Sequence, residues 1–253
     1  MNFLSHSVIA QRLWSPPPAE LPAYVAGSAL PDLIGLAAPR VRLRERKDPL
    51  APNSGGTGKG EEGPNPNLAP PELGARGAVS AGIWAHLVTD ATFHKTAAFA
   101  EAQADVGALL EGAGFVGIRV RRFFVAHVLA ELALDAVLLR ADPALGDQFY
   151  AAFAEADFDA VTRWAENETS RPLPRLPEVL ARFAASRYLL SYAADEGVAT
   201  GLSRTCQRAR QDSFEGENFT RLVPVVEQSV RVVAARAEAL LSETYHLASQ
   251  GPS

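Results

Sequence analysis

Apolar residues recur three and four positions apart through most of the chain, and no stretch keeps the period-two alternation with β-branched enrichment that marks a strand. The pattern predicts an all-α protein, a multi-helix bundle. A first helix is expected near Asn2 to Leu13, stopped by Pro16, Pro17 and Pro18, which have no amide donors with which to continue it. A second, near Pro22 to Leu30, is expected to stop at Pro31 and so to leave Asp32 where helix turns into loop. Further helices are expected over about Ala78 to Phe99, Ala102 to Glu111, Arg119 to Arg140, Pro143 to Glu155, Asp157 to Glu168, Glu178 to Glu196 and Phe219 to Leu247. No repeat of fixed period recurs, which argues against a solenoid.

The helical pattern lapses over about residues 37–76, where Gly, Pro and Asn crowd together (PNSGGTGKGEEGPNPNLAPP). Such a composition buries too little apolar area to offset the entropy of ordering it. Because residues of one chemical constellation flank it on both sides, the segment reads as an insertion, a lid, within a single helical domain spanning 1–253. At 253 residues and 47% apolar content the chain is long enough to close one sizeable core.

A net charge of −5, with the positive charges scattered, argues against a stable nucleic-acid complex, which needs a concentrated basic face. The opening MNFLSHSVIAQRLW has neither the basic start nor the long apolar stretch of a signal peptide, and the single cysteine, Cys206, permits no internal disulfide. A cytoplasmic location is expected. The most apolar run, Phe123 to Leu139, carries His127, Glu131 and Asp135, whereas a membrane helix needs about 20 largely uncharged residues; no transmembrane segment is expected.

Those interrupting charges carry the chemistry. His86, Asp90 and His94 stand four residues apart, and each step of four advances a helix by about 6 Å and turns it by about 40°, so neighbours share a face. His86 and Asp90 suit one ion, while His94, further round, suits a second ion or a helix-end position. His127, Glu131 and Asp135 repeat the spacing along a helix that is otherwise apolar on every side, which implies burial. A buried carboxylate without a partner bears a desolvation penalty of several kcal/mol, so Glu131 and Asp135 require a cation, hydrogen bonds or a proton. Imidazole and carboxylate together suit zinc, iron or manganese. His6, His86, His94 and His127 fall in or beside these segments, and His246 lies apart near the tail. Asp135 is expected either to orient His127 or to be a capped structural group. Lys95, Arg121 and Arg122 adjoin the two clusters and could hold a substrate phosphate, although solvated helix-end charges are the commoner meaning of such residues.

The opening Met1-Asn2-Phe3-Leu4-Ser5-His6 and the segment Gly27-Ser28-Ala29-Leu30-Pro31-Asp32 resemble the corresponding segments of the acyl carrier protein phosphodiesterase family, which is related to HD-type phosphohydrolases and cleaves the phosphodiester joining phosphopantetheine to serine. The pairs His86-x-x-x-Asp90 and His127-x-x-x-Glu131, with His94 between, are similar to the zinc-dependent phospholipase C group. Together the likenesses cover about the first 140 residues. They imply an HD-like or phospholipase C-like helical scaffold holding one or two divalent ions (zinc, manganese or iron). His86 and Asp90 would bind one ion, His94, His127 and Glu131 another, and His6 and Asp32 would complete the set. They imply a phosphoester hydrolase, most simply a phosphodiesterase, using a metal-activated water, with a phosphopantetheinyl carrier protein or a lipid phosphodiester as substrate; Asp32, or Asp90 if it is not a ligand, could accept the water's proton. A reading from another class keeps the helices and discards the reaction: a non-catalytic metal-binding or interaction module using the long Phe219 to Leu247 segment as an interface.

Overall fold

Proline placement explains where the first helix gives way and the second begins, and fails to explain where the second ends. In the computed structural model, which describes residues 3–39, 41, 43, 73–115, 122–210 and 214–250 (backbone alone over 73–76), α1 is Phe3–Leu13 and α2 is Leu21–Ala37. Pro22 sits in the first turn of α2, where a missing amide costs nothing. Pro31 was expected to end this helix and instead lies inside it, so Asp32 is a helical residue. The cost of an interior proline is about 3 kcal/mol. Leu30, Leu33 and Ile34 are fully buried around it, and burying each such side chain contributes about 1.5–3 kcal/mol. Burial wins, and the helix continues.

The remaining elements are α3 Leu73–Phe93, α4 Ala97–Gly112, α5 Arg122–Ala141, α6 Pro143–Ala154, α7 Phe158–Thr169, α8 Leu176–Ser186, a 3-10 helix Tyr188–Ala193, α9 Asp195–Arg208, α10 Glu217–Ala234 and α11 Ala237–Gln250. There is no strand among the described residues, and none of their helices is long and apolar enough to cross a membrane. The regular part of α3 begins after Gly77, whose φ of 74° lies in the left-handed region open to glycine. Most of the 37–76 insertion lies outside the described residues.

Three expected helices are divided. The stretch 78–99 breaks after Phe93 because Thr96 takes an extended conformation and its hydroxyl accepts the Phe99 amide at 3.2 Å, starting a new helix. Glu243 Oε2 accepts the neighbouring Ala98 amide at 3.2 Å, adding negative charge at the positive end of α4. The stretch 178–196 breaks at Arg187, which has a φ of 44°. The long tail helix breaks between Ala234 and Ala237, where the Arg236 guanidinium reaches Asp105 of α4 at 2.7 Å.

The residues cluster into two compact units: Met1–Ser5, His94–Tyr150 and Ser186–Glu243 in the first, and His6–Phe93, Ala151–Ala185 and Thr244–Ser253 in the second. In the first, α5 packs against α4, α9, α10 and the 3-10 helix, which accounts for burial nearly all round it from Val125 to Ala136. In the second, α2 and α3 cross at reciprocal glycines. A Cβ on Gly27 would lie 2.2 Å from the Val79 carbonyl oxygen, and one on Gly82 would lie 2.1 Å from that of Tyr24 and 2.8 Å from the Ser28 nitrogen. Every atom in the way is backbone. Around the crossing, Tyr24 packs with Ala10, Ala78, Ala81 and Ala85, and its hydroxyl donates to the Ala10 carbonyl at 2.7 Å. Gly82→Ala is therefore expected to force the helices apart and to destabilise by about 1–3 kcal/mol. Gly112→Ala, where a Cβ meets nothing within 4 Å, should not. Denaturant midpoints of the two variants check this; equal midpoints would mean the helices do not cross this closely.

Candidate metal centre

The break at Thr96 decides which ligands meet. In an unbroken helix His94 would sit about 80° round from His86 on the same helix; instead it stands in the turn between α3 and α4, in the same unit as α5. Its Nε2 lies 3.4 Å from Glu131 Oε1, and His127 Nε2, one turn before Glu131 on α5, lies 3.1 Å from the same oxygen. The two imidazoles stack with centroids 4.5 Å apart at 23°. Buried Phe99 meets both edge-on, at 4.9 Å from His94 and 5.1 Å from His127.

One ligand atom from each of His94, His127 and Glu131 lies within 4.8 Å of the others, so the group could hold a metal ion. A tetrahedral ion with bonds of about 2.0–2.1 Å sets its ligand atoms about 3.3 Å apart. The two separations from Glu131 Oε1, 3.1 and 3.4 Å, fall on either side of that spacing, and the two imidazole ligand atoms lie within 4.8 Å of each other. Among the described residues the group offers three ligands, and catalytic zinc sites use three protein ligands with a fourth position for water or substrate. Burial is graded across the group, with Glu131 at 5% side-chain exposure and the histidines at 26% and 30%, so the charge sits inside and the imidazoles face outward. Desolvation pushes the Glu131 pKa up, but surrounding positive charge and the His127 hydrogen bond overcome it and hold the carboxyl below the usual carboxylate range. The group thus offers the ionised carboxylate a divalent ion requires.

Three further predicted residues gather in the other unit. The His6 ring on α1 meets the His86 ring on α3 edge-on at 4.7 Å, and His6 Nε2 lies 3.8 Å from Asp90 Oδ1. His6 and His86 are buried, and His86 Nδ1 has no hydrogen-bond partner among the described residues. The same is true of Asp32 Oδ2, on α2.

Asp135 is a capped group. Its Oδ1 accepts the Ser5 amide and the Ser5 hydroxyl, each at 3.0 Å, and its Oδ2 accepts the Leu4 amide at 3.4 Å, so α5 closes the first turn of α1. Burial raises its pKa to about 7 against those hydrogen bonds. Of the expected phosphate ligands, Lys95 is exposed, Arg122 pairs with Glu111 at 2.5 Å, and Arg121 lies outside the described residues. His246 is exposed, with its ring 2.7 Å from the Gln250 amide nitrogen. Two residues the sequence reading passed over border the histidines: Phe99, three positions after the Thr96 cap, and Phe123, four before His127. The cap and the four-residue spacing were the signals available.

No family model, curated protein or solved structure matches the chain.

Proposed function

We propose that the protein is a metal-dependent phosphoester hydrolase, acting on diesters, whose centre is His94, His127 and Glu131. The observation that carries this is the convergence of two imidazole nitrogens on one buried carboxylate oxygen, at separations suited to a divalent ion with an open position. The resemblance of the ligand spacings to helical phosphoesterases supports the choice of phosphoester over other hydrolysable bonds. A bound ion would supply Lewis acidity, polarising a phosphoryl oxygen and acidifying water. The chain supplies the rest. Glu131 provides the buried negative charge, the two imidazoles bind as neutral donors, and Phe99, edge-on to both rings, fixes their orientation. His6, His86 and Asp90 are the residues a second ion would use.

Metal content of the purified protein, with turnover of bis(4-nitrophenyl) phosphate before and after chelation, tests the reading. Bound zinc, manganese or iron is expected, with activity lost on chelation and recovered on adding the ion back. Metal without turnover on any phosphoester would turn the conclusion toward a metal-binding module; no metal after equilibration with all three ions would end it.

A further inference from the structure

The candidate metal centre has an apolar feature on its exposed side that holding an ion does not require. Phe123, in the first turn of α5, is 75% exposed; the other large apolar side chains left open among the described residues, Tyr245 and Leu247, reach 40% and 36%. Leaving a phenyl ring in water forgoes the gain that burial brings, and this ring stands one helical turn before a candidate ligand. Its centroid lies 6.4 Å from that of His127, at 35°. Its backbone is held, because the Phe123 carbonyl accepts a hydrogen bond from Gln103 of α4 at 3.3 Å and the preceding Arg122 pairs with Glu111 of the same helix. A frayed helix end would have neither tie. His127 is therefore approached by a buried phenyl, Phe99, which packs it, and by a phenyl, Phe123, that the described residues leave largely exposed.

We infer that Phe123 is a substrate-contacting, specificity-determining residue of this centre, presenting its ring to a flat, apolar ester group on the phosphorus. The inference rests on the phosphoester reading above. A phosphoryl group held by an ion at His94, His127 and Glu131 would carry its ester substituents a few bonds away, within reach of a ring beside His127. An aryl substituent would cover Phe123 on binding, whereas a methyl substituent would leave it in water. Aromatic contacts of this kind correspond to about two- to ten-fold in affinity.

The test uses the zinc-loaded full chain and one pair of probes, read in binding and in turnover. In equilibrium binding, phenylphosphonate is expected to bind more tightly than methylphosphonate by roughly two- to ten-fold. In turnover of bis(4-nitrophenyl) phosphate, phenylphosphonate is expected to inhibit competitively with a lower inhibition constant than methylphosphonate, by a similar ratio. Phe123→Ala should bring both ratios close to one, and Phe123→Trp should keep them, with zinc content as in the wild type. An equal loss for phenyl and methyl probes in Phe123→Ala, or its loss of zinc, would show that the ring only supports His127 and would overturn the assignment. A phenyl preference that depends on Phe123 in a protein without turnover would uphold the subsite and remove the hydrolase reading. Turnover with no phenyl preference in the wild type would do the reverse, and absence of both binding and turnover would remove both.

Discussion

Glu131→Gln is expected to empty the His94–His127–Glu131 centre and to take turnover with it, because the substitution keeps the shape of the side chain and removes the one negative charge the group offers a cation. Losing a residue that merely orients a ligand costs about 10–100-fold in metal affinity. Losing a ligand, and the charged one, should cost more than about 100-fold. His127→Ala removes a second donor and should behave alike, whereas His246→Ala, on the exposed face of α11, should bind metal as the wild type does. The quantity to read is the rise in unfolding midpoint on adding zinc, which separates binding from what a substitution does to the fold. A ligand at about 100 times its Kd adds about 2.7 kcal/mol of stability. That increment should be present in the wild type and in His246→Ala and absent in the other two. Equal increments in all four proteins would place the ion elsewhere.

How much of this was legible in the sequence depends on how local each cause is. His127 and Glu131 were legible as a pair, because a histidine and a carboxylate four apart in an apolar helix must share a buried face and need a counter-charge. The starts of α2 and α6 were legible from prolines, and that of α7 from Asp157, whose carboxylate accepts the Ala160 amide at 2.9 Å. His94 was assigned a place apart from His86 and Asp90 by its angle on one long helix; the actual cause is the Thr96 cap, a signal present in the sequence and not used. Pro31 misled because its cost is local while the burial of Leu30, Leu33 and Ile34 that outweighs it is tertiary. The partner of Asp135 could not be read at all. Ser5 lies 130 positions away, and spacing along one helix carries no information about which distant amides will meet a carboxylate.

Asp135→Asn is expected to gain stability relative to the wild type as pH rises from about 4 to about 7, in metal-free protein. The Asp135 carboxyl is fully buried, and desolvation lifts its pKa from 3.8 to about 7, even though the Leu4 and Ser5 amides and the Ser5 hydroxyl favour the charged form. Burial is the main cause of the raised pKa of Tyr150 on α6 and of Tyr192 on the 3-10 helix, and the charge of Asp135 adds to it in both. A carboxyl whose pKa is higher folded than unfolded contributes its full stability below the unfolded value, where both states hold the proton. Between the two values the unfolded chain releases its proton and the folded chain does not, so stability falls with pH until the folded group also titrates near 7. The interval from 3.8 to about 7 corresponds to roughly 4 kcal/mol. Asparagine cannot ionise, and its carbonyl oxygen can still accept from Ser5, so the variant should lack this fall while keeping most of the cap of α1. Denaturant midpoints of both proteins across pH 4 to 8 give the comparison. A constant difference between them would show that Asp135 titrates alike in the folded and unfolded chains, and that the first turn of α1 is held by a carboxylate the fold keeps charged.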